Sequence, residues 1–220
     1  MSVNEKMTAI ADAIRAKTGK TDALTLDRMP GEIGGLYGAE DVIKLLERAH
    51  TEFVIPDGCT KIASYTFHNQ NLLRVTIPES VTTIGSYAFG TNSKLQLTTP
   101  NLPDSIETIG GSAFAGTPQL TLYQLPENLK TVGDYAFQNS GLRIGTVPKG
   151  VTTIGKQAFG KNLGITQLTF LGTPTSIASN AFYQSDNLIQ LNVPWLEGEI
   201  SGAPWGAANA TIYYGRVVAE

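Results

Sequence analysis

The segment VTTIGSYAFG at residues 81–90 is nearly repeated by VTTIGKQAFG at residues 151–160, with eight of ten positions identical. Two such segments, seventy residues apart, indicate an internal repeat. Alignment on the phenylalanine of the segment shows six copies, with steps of 22, 25, 23, 22 and 23 residues. The six phenylalanines are Phe67, Phe89, Phe114, Phe137, Phe159 and Phe182.

Three further positions recur in register with the phenylalanine. An aliphatic residue stands five residues before it: Ile62, Ile84, Ile109, Val132, Ile154 and Ile177. A proline stands eleven residues before it in the first five copies: Pro56, Pro78, Pro103, Pro126 and Pro148. The sixth copy has Pro174 only eight residues before Phe182. A leucine or isoleucine follows five or six residues after it: Leu72, Leu95, Leu120, Leu142, Ile165 and Leu188.

This pattern predicts a repeat solenoid, because one unit cannot bury its own apolar face whereas stacked units form a continuous core. The stretches LLRVTIP and LIQLNVP have the alternation of strands, with proline where the strand ends. Equivalent strands should pair in parallel about 4.8 Å apart, so that six turns of 22–25 residues make a stack roughly 25 Å long.

The unit resembles the BspA-like leucine-rich repeat, which reads roughly L-x-x-I-x-I-P-x-x-V-x-x-I-G-x-x-A-F. The resemblance covers residues 52–195. It implies a curved right-handed solenoid with short parallel β-strands, used for adhesion and protein contact. It also implies no catalytic residue.

The chain ends depart from the repeat. Residues 4–17 have the spacing of an amphipathic helix, and residues 39–51 predict a second helix that caps the first turn. We therefore expect four segments: a helical attachment or oligomerisation segment (1–38), a capping helix (39–51), the solenoid (52–195) and a C-terminal cap (196–220). In the C-terminal segment, Trp195 and Trp205 are expected to cover the last turn and TIYY to form a final strand.

Two end segments resemble parts of other proteins. The phrase IADAIRAKTGKTDALTLDRMPGEI, residues 10–33, resembles an N-terminal module of tail-associated and other structural proteins of phages and prophages. The phrase NVPWLEGEISGAPWGAANATIYYG, residues 192–215, resembles the closing segment of repeat proteins from such prophage regions. These resemblances imply attachment to a particle, or self-assembly as a homo-oligomer, through the N-terminal helix.

Composition excludes several classes of function. The net charge of −3 and pI near 5.4 argue against nucleic-acid binding. The sequence contains no run of eighteen apolar residues, so no membrane insertion is predicted. Its first residues lack the basic-then-apolar order of a signal peptide. If residue 1 is the natural start, synthesis in the cytoplasm without general export is expected.

No constellation in the sequence predicts catalysis, a metal or a cofactor. His50 and His68 have no ligand or triad spacing, and Cys59 occupies a position that is aliphatic in other copies. Glu197 and Glu199 lie too close in sequence to be opposed across a cleft as a glycosidase pair.

The candidate ligand-binding residues are Tyr65, Tyr87 and Tyr135, each two residues before the phenylalanine. Copies three, five and six have polar residues there, so the position should face outward, where tyrosines commonly anchor a ligand. The alternative is that these rings only shield the coil.

The expected function is that of a non-enzymatic phage or prophage tail or particle component, whose solenoid recognises a polysaccharide or protein of the host surface. The alternative is a bacterial cell-surface adhesin or antigen. A glycan-cleaving enzyme would need a cleft with opposed carboxylates, which the repeats do not supply.

Overall fold

The computed structural model describes residues 52–99 and 101–215. The chain divides into two units, the first ending at Val54 and the second starting at Ile55. The helices predicted for residues 4–17 and 39–51, and the attachment segment 1–38 as a whole, lie outside the described residues. Within the described ranges, no helix is long and apolar enough to cross a bilayer.

The described residues contain thirteen strands of two to four residues each. They are β1 (Glu52–Val54), β2 (Lys61–Ile62), β3 (Arg74–Thr76), β4 (Thr83–Ile84), β5 (Gln96–Leu97), β6 (Thr108–Ile109), β7 (Thr131–Val132), β8 (Thr146–Val147), β9 (Thr153–Ile154), β10 (Gln167–Phe170), β11 (Ser176–Ile177), β12 (Gln190–Asn192) and β13 (Thr211–Tyr213).

The strands of the second unit pair in parallel on two sides of a solenoid. On one side β2, β4, β6, β7, β9 and β11 form an unbroken six-stranded sheet, called here the long sheet. The other side, called here the divided side, contains the pair β3–β5 and the four-stranded sheet β8–β10–β12–β13. The architecture is a parallel β-solenoid of about seven turns, which confirms the predicted fold class.

The recurring apolar positions form the predicted columns. Consecutive phenylalanine rings stack with centroids 5.2–6.0 Å apart and nearly parallel planes. All except Phe67, which is half-buried, are fully buried. The aliphatic residues five positions earlier lie in register on the long sheet, as in the pair Ile62 and Ile84. Burying a side chain of this size stabilises a fold by about 1.5–3 kcal/mol, so the columns supply much of the folding energy.

The recurring prolines each close a turn that leads into the long sheet. The carbonyl of Pro78 accepts the N–H of Val81 at 3.1 Å, and the carbonyl of Pro148 accepts that of Val151 at 3.2 Å. Val81 and Val151 are buried, whereas Cys59, at the same position in the first turn, is half-buried. Proline suits these sites because its fixed φ fits a turn that starts where the strand ends.

In copies two to five a glycine follows the aliphatic residue, where successive turns approach closely, and the sixth copy has Ala178 at this position. A Cβ on Gly85 would lie 2.5 Å from the backbone nitrogen of Ser64, and one on Gly155 would lie 2.6 Å from that of Asp134. Gly110 and Gly133 are similarly confined by the preceding turn. The short distance between the backbones of successive turns therefore explains the glycine in the "I-G" of the repeat.

A column of polar side chains runs through the interior, three residues after each phenylalanine. Its buried members are Asn92, Thr117, Ser140, Asn162 and Ser185. Asn92 donates through Nδ2 to the carbonyls of Phe67 and Phe89 at 2.7 and 2.8 Å, and its Oδ1 accepts the N–H of Leu72 at 2.9 Å. These side chains satisfy backbone groups that would otherwise be buried without a partner, a loss of about 1–3 kcal/mol each. This column was not among the positions predicted from the sequence.

The C-terminal turn is closed by two buried tryptophans. The ring of Trp195 lies edge-on to that of Trp205, with centroids 6.0 Å apart, and edge-on to that of Phe170 at 5.1 Å. Trp205 donates through Nε1 to the carbonyl of Ser201 at 2.8 Å. Strand β13 pairs with β12, as the TIYY segment predicts. The aromatic rings thus cover the apolar interior at the last turn.

Candidate functional site

The three candidate tyrosines occupy equivalent backbone positions in turns one, two and four. Tyr65, Tyr87 and Tyr135 have φ angles of 63°, 57° and 59°, in the left-handed region. Each donates its N–H to a carbonyl of the following turn, at 2.9, 2.8 and 2.7 Å respectively. Left-handed φ is costly for a residue with a bulky side chain, so the turn geometry and the bonds to the next turn must hold it. The side chains consequently project from a rigid backbone.

Two of the tyrosines form a stacked pair. The rings of Tyr65 and Tyr87 have centroids 4.9 Å apart and planes only 6° from parallel. Their side chains are 58% and 39% exposed. Such offset stacking is worth about 0.5–1.5 kcal/mol beyond area burial, and it presents two aligned ring edges to solvent.

His68 belongs to the same cluster. Its ring lies edge-on to both tyrosines, with centroids 5.7 Å from each. Its Nδ1 is buried and has no hydrogen-bond partner among the described residues. Tyr65, His68 and Tyr87 are called here the aromatic cluster. Sequence reasoning excluded His68 as a catalytic residue but did not place it beside the tyrosines, because contacts between turns depend on side-chain direction as well as spacing.

Tyr135 is separated from the aromatic cluster by a full turn. The third turn carries Ser112 at the equivalent position, and Ser112 is only 6% exposed. The expectation that this position always faces outward is therefore too general, since a serine side chain is too short to reach beyond its neighbours. Tyr135 is half-buried, and no ring contact joins it to the stacked pair within the described part of the chain.

The other titratable residues considered from the sequence are not gathered into one place. No three His, Cys, Asp or Glu side chains of residues 52–99 and 101–215 lie close enough together to hold a metal ion. Glu199 accepts the backbone N–H of Leu196 at 2.9 Å through Oε2. Burial raises the pKa of Tyr214, and the carboxylate of Glu197 raises it further, so that this phenol is neutral near pH 7.

Comparisons with known proteins agree with the repeat architecture. The model of the BspA type leucine-rich repeat region matches six copies, over residues 47–159 and 91–201. No curated protein matches the chain in sequence.

Two crystal structures are similar to it. One is a leucine-rich repeat protein from Bacteroides ovatus, with 28% identity and a TM-score of 0.56 over 64% of this chain. The other is the leucine-rich repeat protein of T. pallidum, with 27% identity and a TM-score of 0.56 over the same share. The match spans 39% of the Bacteroides protein and 71% of the T. pallidum protein.

Proposed function

Since the chain belongs to the BspA-type leucine-rich-repeat family, we propose that it is a non-enzymatic interaction protein that binds a cell-surface ligand through its solenoid. The family fold is typically an interaction scaffold. The observation that supports a specific ligand face is the aromatic cluster, in which two exposed tyrosines stack across adjacent turns.

The aromatic cluster suits an extended ligand. Tyrosine offers a large contact area with few rotatable bonds, and its hydroxyl can bond to a polar partner. Because the backbone beneath both rings is fixed by hydrogen bonds to the next turn, little entropy is lost when a ligand binds. A polysaccharide or protein chain of the host surface would lie along the stack, and Tyr135 would contact it two turns further on.

We further propose that the protein is a phage or prophage tail or particle component, located in the virion. The support is the resemblance of residues 10–33 to modules of such proteins, together with the amphipathic pattern of residues 4–17. In this proposal, residues 1–38 bind another particle protein or a second copy of the chain.

The alternative is a BspA-like adhesin or antigen at the bacterial cell surface. The two readings predict different genomic neighbours: tail or baseplate genes for a particle component, and export genes for an adhesin.

Binding to intact bacterial cells tests the ligand face. The wild-type chain should bind saturably and release no soluble sugar or peptide from the cells. Replacing Tyr65, Tyr87 and Tyr135 together by serine should weaken binding by about tenfold or more, since aromatic anchors often contribute over 1 kcal/mol each. Tyr213→Ser is the matched control, because Tyr213 is exposed but lies on β13, on the divided side.

The geometry also ranks the three tyrosines. The double change at Tyr65 and Tyr87 should account for most of the loss, and Tyr135→Ser alone for little. Unchanged binding by the triple variant would exclude this face. Release of wall fragments by the purified protein would contradict the non-enzymatic assignment.

The attachment proposal has its own test. A chain that begins at residue 39 should keep the thermal transition of the solenoid but lose self-association or capture of a particle protein, as measured by sedimentation. Equal masses for the two chains, with no particle protein captured by the full chain, would rule it out.

A further inference from the structure

The divided side contains a gap in the third turn. Residues 119–124, all of them described, form no strand, so β5 pairs with β3 on one side and has no strand beside it on the other. A groove of about 250 Å³ occupies this place. Its lining residues are Gln96, Leu97, Thr98, Thr99, Gln119 and Thr121.

Asn101 bonds to the third turn next to the groove. Its Oδ1 accepts the N–H groups of Tyr123 and Gln124 at 3.3 and 3.1 Å. Its Nδ2 donates to Oε1 of Gln124 at 3.3 Å. Backbone groups that could have paired with β5 are thus bonded to a side chain instead, and the groove is built into the fold.

One strand edge faces the groove. Gln96 and Thr98 donate their N–H groups to Leu73 and Val75 of the preceding turn, at 2.8 and 3.1 Å. Successive residues of a parallel strand direct their backbone polar groups to opposite sides. The N–H and C=O of Leu97 therefore point toward the third turn, into the gap.

The chemistry of the lining selects the ligand. Five of the six lining residues are glutamine or threonine, and none is charged. Amide and hydroxyl groups both donate and accept hydrogen bonds, which is what sugar hydroxyls require. Leu122 is buried, whereas the residues on either side of it, Thr121 and Tyr123, project outward. The side chain of Tyr123 is 57% exposed. Its ring can lie against the apolar face of a sugar.

We propose that this groove binds one uncharged pyranose unit of a glycan. The volume lies just below the range for drug-sized ligands, about 300–1,000 Å³, which suits a single ring. A bound peptide strand would need a longer edge than β5, which has two residues. The groove shares no residue with the aromatic cluster, so this proposal and the proposed function can fail separately.

Titration of the ¹⁵N-labelled full chain with sugars tests the proposal. The probes are the methyl glycosides of glucose, galactose, mannose and N-acetylglucosamine, with glucuronic acid as the charged comparison. At least one neutral glycoside should shift the backbone signal of Leu97 and the side-chain amide signals of Gln96 and Gln119. Glucuronic acid should shift them less.

Variants then locate the site. Gln119→Ala and Tyr123→Ala should each weaken binding of that glycoside by about tenfold, the equivalent of roughly 1.4 kcal/mol. Gln167→Ala is the matched control, because Gln167 is an exposed glutamine on β10, which has a paired strand on both sides. The affinity of this variant for the glycoside should be unchanged. All three side chains are exposed, and thermal unfolding checks that each variant is folded.

Three outcomes would overturn the proposal. They are the absence of shifts with every neutral glycoside up to its solubility limit, stronger binding of glucuronic acid than of any neutral sugar, and equal losses for Gln167→Ala and Gln119→Ala.

Discussion

The long sheet and the divided side are built from the same repeats, yet only one of them is continuous. On the long sheet, every turn from β2 to β11 places an aliphatic residue opposite its equivalent in the next turn. On the divided side, the third turn leaves the sheet and β5 has an open edge.

The repeat varies in length between each phenylalanine and the next aliphatic position, which is the part of the turn that includes the divided side. The aliphatic residue always precedes its phenylalanine by five positions, so the long sheet enters each turn in the same register. Extra residues fall after the phenylalanine, and the longest step, 25 residues from Phe89 to Phe114, contains β5, whereas residues 119–124 lie in the next step, of 23 residues. A solenoid can thus absorb an insertion on one side while the other side continues to pair.

The largest expected effect tests whether the gap loosens the interior. Phe89 is fully buried, stacked between Phe67 and Phe114, and belongs to the turn that carries β5. Phe89→Ala should lower the free energy of unfolding by about 3–5 kcal/mol, measured by urea unfolding. Phe159→Ala, far from the gap, should cost the same.

Lys156→Ala is the control for these two changes, since Lys156 is exposed, and it should stay within about 0.5 kcal/mol. A clearly smaller loss at Phe89 than at Phe159 would show that the gap reaches the core. Similar losses for lysine and phenylalanine would mean that the buried and exposed faces are assigned wrongly.

The second comparison concerns two asparagines that both bridge turns. Asn162 is buried and donates through Nδ2 to the carbonyl of Phe137 at 2.7 Å. Asn101 is half-buried and bonds to backbone groups that water can reach. Asn162→Ala should cost about 2–3 kcal/mol, and Asn101→Ala about 0.5–1 kcal/mol, because only the first leaves buried groups unsatisfied.

Chemical denaturation of both variants measures this difference. Equal losses of unfolding free energy would mean that the hydrogen bonds of Asn101 stabilise the fold as much as those of the buried Asn162, which would contradict this prediction.

The third comparison is between two glycines. A Cβ on Gly155 would collide with the backbone of Asp134, so Gly155→Ala should cost about 1–3 kcal/mol. Gly145 precedes β8 on the divided side and has no atom within 4 Å of such a Cβ. Gly145→Ala should be neutral or stabilise by about 0.4–1 kcal/mol, because alanine restricts the unfolded chain. Differential scanning calorimetry measures the stability of both variants. A large loss of stability in Gly145→Ala would show that the divided side is closely packed around this glycine.

The apolar columns could be predicted from the sequence because each is a single residue type repeated at a nearly fixed spacing. The polar column could have been found in the same way, since Gln70, Asn92, Thr117, Ser140, Asn162 and Ser185 are all polar. Polar residues alone do not reveal whether they face water or buried carbonyls, and that distinction needs the path of the backbone. The groove could not be predicted, because residues 119–124 leave the sheet in a step of ordinary length, 23 residues.

The near-identity of residues 81–90 and 151–160 also bears on how such a chain can change length. A recombination that joined Ser80 to Val151 would delete three complete turns and leave the remaining columns in register, because each turn contacts only its neighbours. The deleted part would include the third turn and with it every lining residue of the groove. The length of the solenoid and the presence of the groove would therefore change together in a single recombination.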